Sequence, residues 1–106
     1  MSDLFSAQSD VLILAVLQSG PAHGYAIIDA IKTRSEGRFD LPEGTIYPAL
    51  HRLERQGFLV SAWTPGERRQ RRTYELSGAG REALAARRSE WQHFSIAMSA
   101  VIRASP

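Results

Sequence analysis

The stretch EGTIYPALHRLERQ, residues 43–56, decides the fold that the sequence predicts. Its apolar residues recur at i, i+3, i+4 and i+7, the spacing of one face of an α-helix, and they are Ile46, Ala49, Leu50 and Leu53. Pro48 lacks an N–H and is tolerated in the first turn of a helix, where that donor has no partner to lose. We therefore expect the helix to begin close to Gly44 or Thr45.

Two further helical segments precede this stretch. Gly24–Ser35 (GYAIIDAIKTRS) repeats the same apolar spacing, and Ser9–Gln18 (SDVLILAVLQ) is apolar nearly all round, which predicts a helix buried on more than one side. Arg38–Pro42 (RFDLP) is a short connection between the second and third helices. Two short helices so joined, the second with a mixed polar outer face, predict a helix-turn-helix.

A β-hairpin is predicted directly after the third helix. Phe58–Thr64 (FLVSAWT) and Gln70–Leu76 (QRRTYEL) have strand composition, and Pro65-Gly66 between them suits a type II turn. Four arginines surround the tip: Arg68, Arg69, Arg71 and Arg72. A basic hairpin in this place is a wing.

The last segment, Gly78–Ala104, is predicted as a long helix with Ser77 as its N-cap. Its large apolar residues form a heptad-like stripe, interrupted by Arg87, which consists of Leu84, Trp91, Phe94, Met98 and Val101. So small a domain cannot cover this stripe alone, which favours contact with a second copy. The predicted fold is mainly α with a β-hairpin: a winged helix-turn-helix domain over residues 1–77 and a long C-terminal dimerisation helix over residues 78–106.

Composition narrows the class of protein. The 106 residues suffice for one domain, and 43% hydrophobic with 23% charged residues is ordinary for a globular protein. Cysteine is absent, which excludes disulfides and fits a reducing cytoplasm, and no apolar run predicts a membrane span. The net charge is only +2, but residues 67–106 hold eight basic and four acidic side chains. Such a local excess favours a polyanionic partner.

The outer face of the third helix is the candidate DNA-reading surface. Its candidate contacts are Gly44, Thr45, Tyr47, Pro48, His51, Arg52 and Arg55. The helix N-terminus favours phosphate, Tyr47 and His51 can reach base edges or phosphates, and an arginine can pair with guanine. An amphipathic helix with a solvated outer face and a solvated basic loop would explain the same residues. Helix and wing together favour DNA.

The order of motifs resembles one family. Gly24-Tyr25, the run from Glu43 to Glu54 (EGTIYPALHRLE), Gly57, Trp63 and the Arg-rich turn before Tyr74–Ser77 (YELS) resemble the PadR family of transcriptional regulators over about residues 9–90. The resemblance implies a homodimeric winged-helix repressor whose third helix reads the major groove and whose wing touches the adjacent backbone or minor groove. A two-fold dimer would in turn predict a pseudo-palindromic operator.

The resemblance extends to the C-terminal helix, which is similar to that of the family's short class. In some relatives a central tryptophan of this helix lines an effector pocket between protomers, which implies a small aromatic effector near Trp91. Plain packing in an interface is the other interpretation of Trp91. Tyr25 matches a characteristic position at the start of the second helix, with a packing role as the alternative.

Two other classes of function, a protein-interaction module and an enzyme, are weighed against DNA binding. A winged-helix module that binds protein without binding DNA would have the same element order, and the arginines of the wing argue against it. An enzyme is not expected, because His23, His51 and His93 lie far apart in the sequence. No serine lies in a nucleophile-elbow pattern, no glycine-rich phosphate loop is present, and no His/Glu pair has metal-ligand spacing. No cofactor or metal is expected either.

Overall fold

The computed structural model describes the backbone of residues 2–65 and 70–103, and the side chains of these residues from Gln8 onward. The helices and strands follow one another as α1 Ser2–Leu17, β1 Ala22–His23, α2 Gly24–Arg34, α3 Glu43–Arg55, β2 Leu59–Thr64, β3 Arg71–Leu76 and α4 Gly78–Arg103. The predicted fold class, a helix-turn-helix with a wing and a long last helix, is confirmed.

The sheet contains one strand that the sequence did not predict. Strand β1 adds to the β2–β3 hairpin and gives three antiparallel strands in the order β1-β3-β2. Ala22 pairs with Tyr74 and His23 with Thr73. The pairing fixes the start of α2 against the wing strand, because His23 is also the N-cap of α2.

The core lies between the first three helices and the sheet. Its most completely buried side chains are Ile13, Leu14, Ile27, Ile46, Leu50, Leu53, Leu59 and Tyr74. On β3, Tyr74 and Leu76 point into this core while Glu75 is exposed, as the alternation of the strand predicts. Helix α1 begins at Ser2, well before the predicted Ser9, so Ser9 and Asp10 lie within the helix and are buried.

Pro48 lies deeper in α3 than expected. The helix begins at Glu43, with Pro42 as its N-cap, so Pro48 is its sixth residue. The N–H that a proline lacks would have bonded to the carbonyl of Gly44, four residues earlier. Gly44 is exposed, so water can satisfy that carbonyl, and helix α3 continues through the proline.

A glycine turn directs the chain from α3 into the wing. Gly57 has a φ of 86°, and the amides of Gly57 and Phe58 bond to the carbonyls of Glu54 and Leu53 at 3.0 Å each. This is the Schellman arrangement, in which a glycine in the left-handed region ends the helix. Strand β2 therefore starts beside the C-terminal turn of α3.

The first turns of α4 pack on the core, and the rest extends away from it. Ser77 caps the helix, as predicted, because its hydroxyl accepts the amide of Gly80 at 3.0 Å and donates to the carbonyl of Gly57 at 2.6 Å. Gly80 is buried against Phe58, whose carbonyl oxygen would lie 2.0 Å from a Cβ there. Beyond Leu84 the apolar side chains of α4 are exposed, and the chain measures 61 Å along its longest axis.

Candidate nucleic-acid interface

Helix α3 presents a continuous exposed stripe on the side away from the core. The stripe consists of Gly44, Pro48, His51 and Arg55, which are spaced by whole helical turns and are all exposed. Four of the seven α3 residues predicted as DNA contacts thus lie on one open face. A face of this width and composition suits insertion into a major groove.

Tyr47 is packed between the two helices of the helix-turn-helix. Its ring occupies the space beside Gly24, where an added Cβ would lie 2.6 Å from the ring atoms and the hydroxyl. Tyr25 meets it edge to face, with 6.4 Å between ring centroids. Burial, and then the negative charge of Glu43, raise the pKa of Tyr47, so its hydroxyl remains a hydrogen-bond donor at neutral pH. Thr45 is half-buried on the opposite flank of α3.

Arg52 is paired inside the chain. Its Nη2 donates to Oδ1 of Asp10 on α1 at 2.5 Å, and the Asp10 side chain is only 11% exposed. We expected Arg52 to reach a flanking phosphate. The structure instead gives its guanidinium an internal partner, because a nearly buried carboxylate requires a compensating charge.

Arg72 is also engaged within the chain. Its Nη2 donates to Oε1 of Glu54 at 3.1 Å and its Nε donates to the hydroxyl of Ser61 at 3.0 Å, while that hydroxyl donates to Oε2 of Glu54 at 2.5 Å. The guanidinium carbon lies 5.7 Å from the centroid of the Trp63 ring and 6.0 Å from that of Tyr74. Arg72 therefore joins the wing to α3, a role within the chain that the sequence did not reveal.

Arg71 remains exposed on the neighbouring position of the wing. Its Nη1 lies 3.1 Å from Nε2 of His23, whose Nδ1 accepts the amide of Ala26 at 3.4 Å. Neither Arg71 nor Arg55 pairs with a carboxylate among the residues that the structure describes. The predicted contacts Arg68 and Arg69 lie outside the described residues.

Side chains that the sequence analysis did not single out hold this surface in place. Asp10, His23, Glu54 and Ser61 each bind one of the arginines or cap a helix. No spacing rule connects Asp10 or Glu54 to its arginine partner, since the Asp10–Arg52 pair spans 42 residues of sequence and the Glu54–Arg72 pair 18. Within the described part of the chain no group of acidic residues and histidines is arranged to hold a metal ion.

The outer half of α4 carries a second exposed surface, the α4 stripe: Trp91, Phe94, Met98 and Val101. Trp91 and Phe94 stack with 5.7 Å between ring centroids. Leu84, predicted to belong with them, is only 2% exposed and packs in the core of its own chain. It is therefore not part of the exposed stripe. An open depression of about 360 Å³ beside the stripe is lined by Trp91, Gln92, Ser95 and Ile96.

The elements α2, α3 and the β2–β3 hairpin, with an exposed helix face and an arginine on the wing, define a winged helix-turn-helix protein. The sequence model of the Transcriptional regulator PadR-like family matches residues 13–86. The chain belongs to this family. The family's members are transcriptional regulators and not enzymes, which agrees with the class that we expected from the sequence.

Two individual relatives are similar to parts of this chain. A transcriptional regulator of Mycobacterium tuberculosis is 54% identical over 41 residues, which are 39% of this chain and 38% of that protein. A 37.1 kDa protein of a Streptomyces fradiae transposon is 40% identical over 76 residues, which are 72% of this chain and 21% of that protein. The chain therefore spans well under half of the length of either relative.

Solved structures match over nearly their whole length. A PadR family transcription regulator from Clostridium difficile superposes with a TM-score of 0.77 at 29% identity, over 89% of this chain and 97% of that one. A transcriptional regulator from Clostridium thermocellum superposes with a TM-score of 0.82 at 26% identity, over 92% and 95% of the two chains. No helix in the described ranges is long and apolar enough to cross a membrane.

Proposed function

We propose that this protein is a homodimeric repressor that binds a specific double-stranded DNA sequence. The observation that carries the proposal is the exposed stripe of α3 together with the exposed Arg71 of the wing. The stripe offers groups that read bases, and the wing offers positive charge for phosphate. Membership in a family of transcriptional regulators supports the same conclusion.

In the proposed complex, α3 lies in the major groove. His51 and Arg55 project from the middle and the end of its exposed stripe, where an imidazole or a guanidinium can bond to base edges. Gly44, which has no side chain, lets the start of α3 approach the backbone closely. Arg71, together with Arg68 and Arg69, would contact phosphates or the minor groove next to the site. Arg52 and Arg72 hold α3 in place and are not part of the proposed contact set.

The proposed dimer forms through the α4 stripe. Two large aromatic rings and two aliphatic side chains exposed along one face of a helix are costly in water and are typical of an interface between copies. A two-fold dimer would bind a pseudo-palindromic operator, with half-sites about one helical turn, ~34–36 Å, apart or a multiple of it. The proposal includes the cytoplasmic location that we expected from the sequence, because a repressor must be in the same compartment as the DNA that it binds.

The proposed effector is a small aromatic molecule held near Trp91. The depression beside Trp91 is lined by one indole ring, one aliphatic side chain and two polar side chains, Gln92 and Ser95. This combination suits a flat apolar ligand that carries one or two polar groups. A second copy packed on the α4 stripe would border the depression at Trp91.

The testing experiment is a fluorescence titration of the full chain against labelled duplexes. The duplexes are fragments from upstream of the protein's own gene and a pool of random duplexes, each at several salt concentrations. Fragment-selective binding that weakens steeply with salt is the expected result, because phosphate contacts release counterions. Binding that is no better than to a random duplex, together with no duplex enriched from the random pool, would contradict the proposal. That result would favour the winged-helix protein-interaction module.

A further inference from the structure

Trp63 is the most exposed large aromatic side chain of the described wing. It is 61% exposed, although an indole has much apolar surface to hide. Its position on β2 decides which way it faces. Leu59, Ser61 and Trp63 are every second residue of the strand and therefore lie on the same face. On that face Leu59 is buried in the core and the hydroxyl of Ser61 donates to Glu54 of α3. Trp63 therefore continues the side of the wing that faces α3, two residues beyond the last contact with that helix.

The ring of Trp63 is held in one place by its neighbour across the hairpin. Arg72 is the register partner of Trp63, and its guanidinium carbon lies 5.7 Å from the ring centroid. That guanidinium is itself fixed by Glu54 and by the hydroxyl of Ser61. An exposed aromatic ring that rests on an anchored cation loses little conformational freedom when it binds a partner.

We infer that Trp63 is a further DNA-contacting residue, which packs its ring against the sugar–phosphate backbone of the duplex whose major groove α3 occupies. The inference rests on the proposed function. Its location supports it, since Trp63 lies on the side of the wing that faces α3, one residue pair before the exposed Arg71. A deoxyribose presents apolar carbon atoms to a ring, and the exposed Arg71 of the adjacent residue pair would supply positive charge for the phosphates.

The competing explanation for Trp63 is that it only shields the Glu54–Arg72 pair from water. The two explanations predict different results. A shield would lower the stability of the folded chain when removed and would leave the affinity for DNA unchanged. A DNA contact would lower the affinity and leave the stability nearly unchanged, because the ring is mostly exposed in the free protein.

The test uses a short duplex recovered from a random pool by selection with the unmodified full chain. The chain has two tryptophans, so Trp91→Phe leaves Trp63 as the sole indole fluorophore while it keeps an aromatic ring in the α4 stripe. Its mass by light scattering and its affinity for the duplex are first matched to those of the unmodified chain. Its emission should change in intensity or wavelength when this duplex is added. Independently, Trp63→Ala should weaken binding of the labelled duplex about tenfold, with Trp63→Phe between the two, while the melting temperature changes little.

Val60→Ala is the matched control, because Val60 is exposed on the same strand but on its other face. It should leave the affinity for the duplex unchanged. Unchanged Trp63 emission with an unchanged affinity of Trp63→Ala would overturn the inference while the proposed function stood. A failure of the unmodified chain to select any duplex would overturn the proposed function and the Trp63 contact together.

Discussion

Arg52 of α3 and Asp10 of α1 form an ion pair, with 2.5 Å between Nη2 and Oδ1, that fixes one flank of the candidate DNA-reading helix. On the other flank Glu54 binds Arg72 and Ser61 of the wing. Helix α3 is thus attached by charged contacts on both sides, and its exposed stripe lies between them. The orientation of that stripe relative to the rest of the chain therefore depends on contacts at its two flanks.

We predict that Asp10→Asn destabilises the protein by about 1–2 kcal/mol, because the change leaves the Arg52 guanidinium beside a neutral amide in a mostly buried place. Urea unfolding of the full chain measures the change from the shift of the midpoint. Asp29→Asn is the control, since Asp29 is an exposed helical aspartate of α2. If the two variants unfolded at the same urea concentration, the Asp10–Arg52 pair would contribute nothing to stability.

Substitution of Arg71 and substitution of Arg72, the two described arginines of the wing, should have different effects on how DNA affinity depends on salt. Arg71→Gln should lower the slope of log affinity against log salt by about 1, because one phosphate contact is lost. The control is the double substitution Glu54→Gln with Arg72→Gln, which removes a mutually bonded pair and leaves the net charge unchanged. It should keep the slope of the unmodified protein. A normal slope for Arg71→Gln would remove Arg71 from the proposed contact set.

Gly24 and Tyr47 should be coupled in stability. Gly24→Ala places a methyl group 2.6 Å from the Tyr47 ring, which must move, and we expect a loss of about 1–2 kcal/mol. In a Tyr47→Ala background the same change should cost almost nothing, because the space is empty. Urea unfolding of the four proteins gives the coupling energy as a double-mutant cycle.

Gly44→Ala is the control for this cycle, because no atom lies within 4 Å of the added Cβ. It should leave the stability equal or slightly raised, since alanine favours the helix over glycine. An equal penalty for Gly24→Ala with and without the tyrosine ring would contradict the packing role that the structure gives to Tyr47.

The sequence predicted those features that depend on local periodicity and on capping. The apolar spacing within α2 and α3, the alternation of β3 and the hydroxyl of Ser77 each act over a few residues, so their consequences can be deduced from the chain alone. The two-residue strand β1 could not be deduced in this way, because it is too short to show an alternation and forms only by pairing with β3.

The roles of the charged residues were less predictable than the helices that carry them. Helical periodicity placed Arg52, and the arginine cluster of the hairpin placed Arg72, near the proposed DNA surface. Neither revealed Asp10 and Glu54 as their partners, because those pairs form only once α1, α3 and the wing have packed. In the same way, the heptad-like spacing of α4 continues through Leu84, and only the packed structure places the end of the core there.

The α4 stripe supplies the last prediction. Phe94→Asp should convert a dimer into a folded monomer of 11.8 kDa by light scattering, because a carboxylate in an apolar interface would be desolvated without a partner. The helical circular dichroism of the winged domain should persist, since Phe94 is exposed in the single chain. Leu84→Ala should instead lower the free energy of unfolding by about 2–5 kcal/mol, as expected for a core leucine.

Ile96→Asp is the matched control for Phe94→Asp. Ile96 is also exposed, but it lies two residues further along α4 and so about 200° around the helix from Phe94. A charge at that position leaves the stripe intact, and the protein should remain a dimer. Dimers for both aspartate variants would mean that copies associate through another surface. Monomers for both would mean that the interface also includes the face of α4 that carries Ile96. The partner would then cover the depression beside Trp91 and close it to any effector.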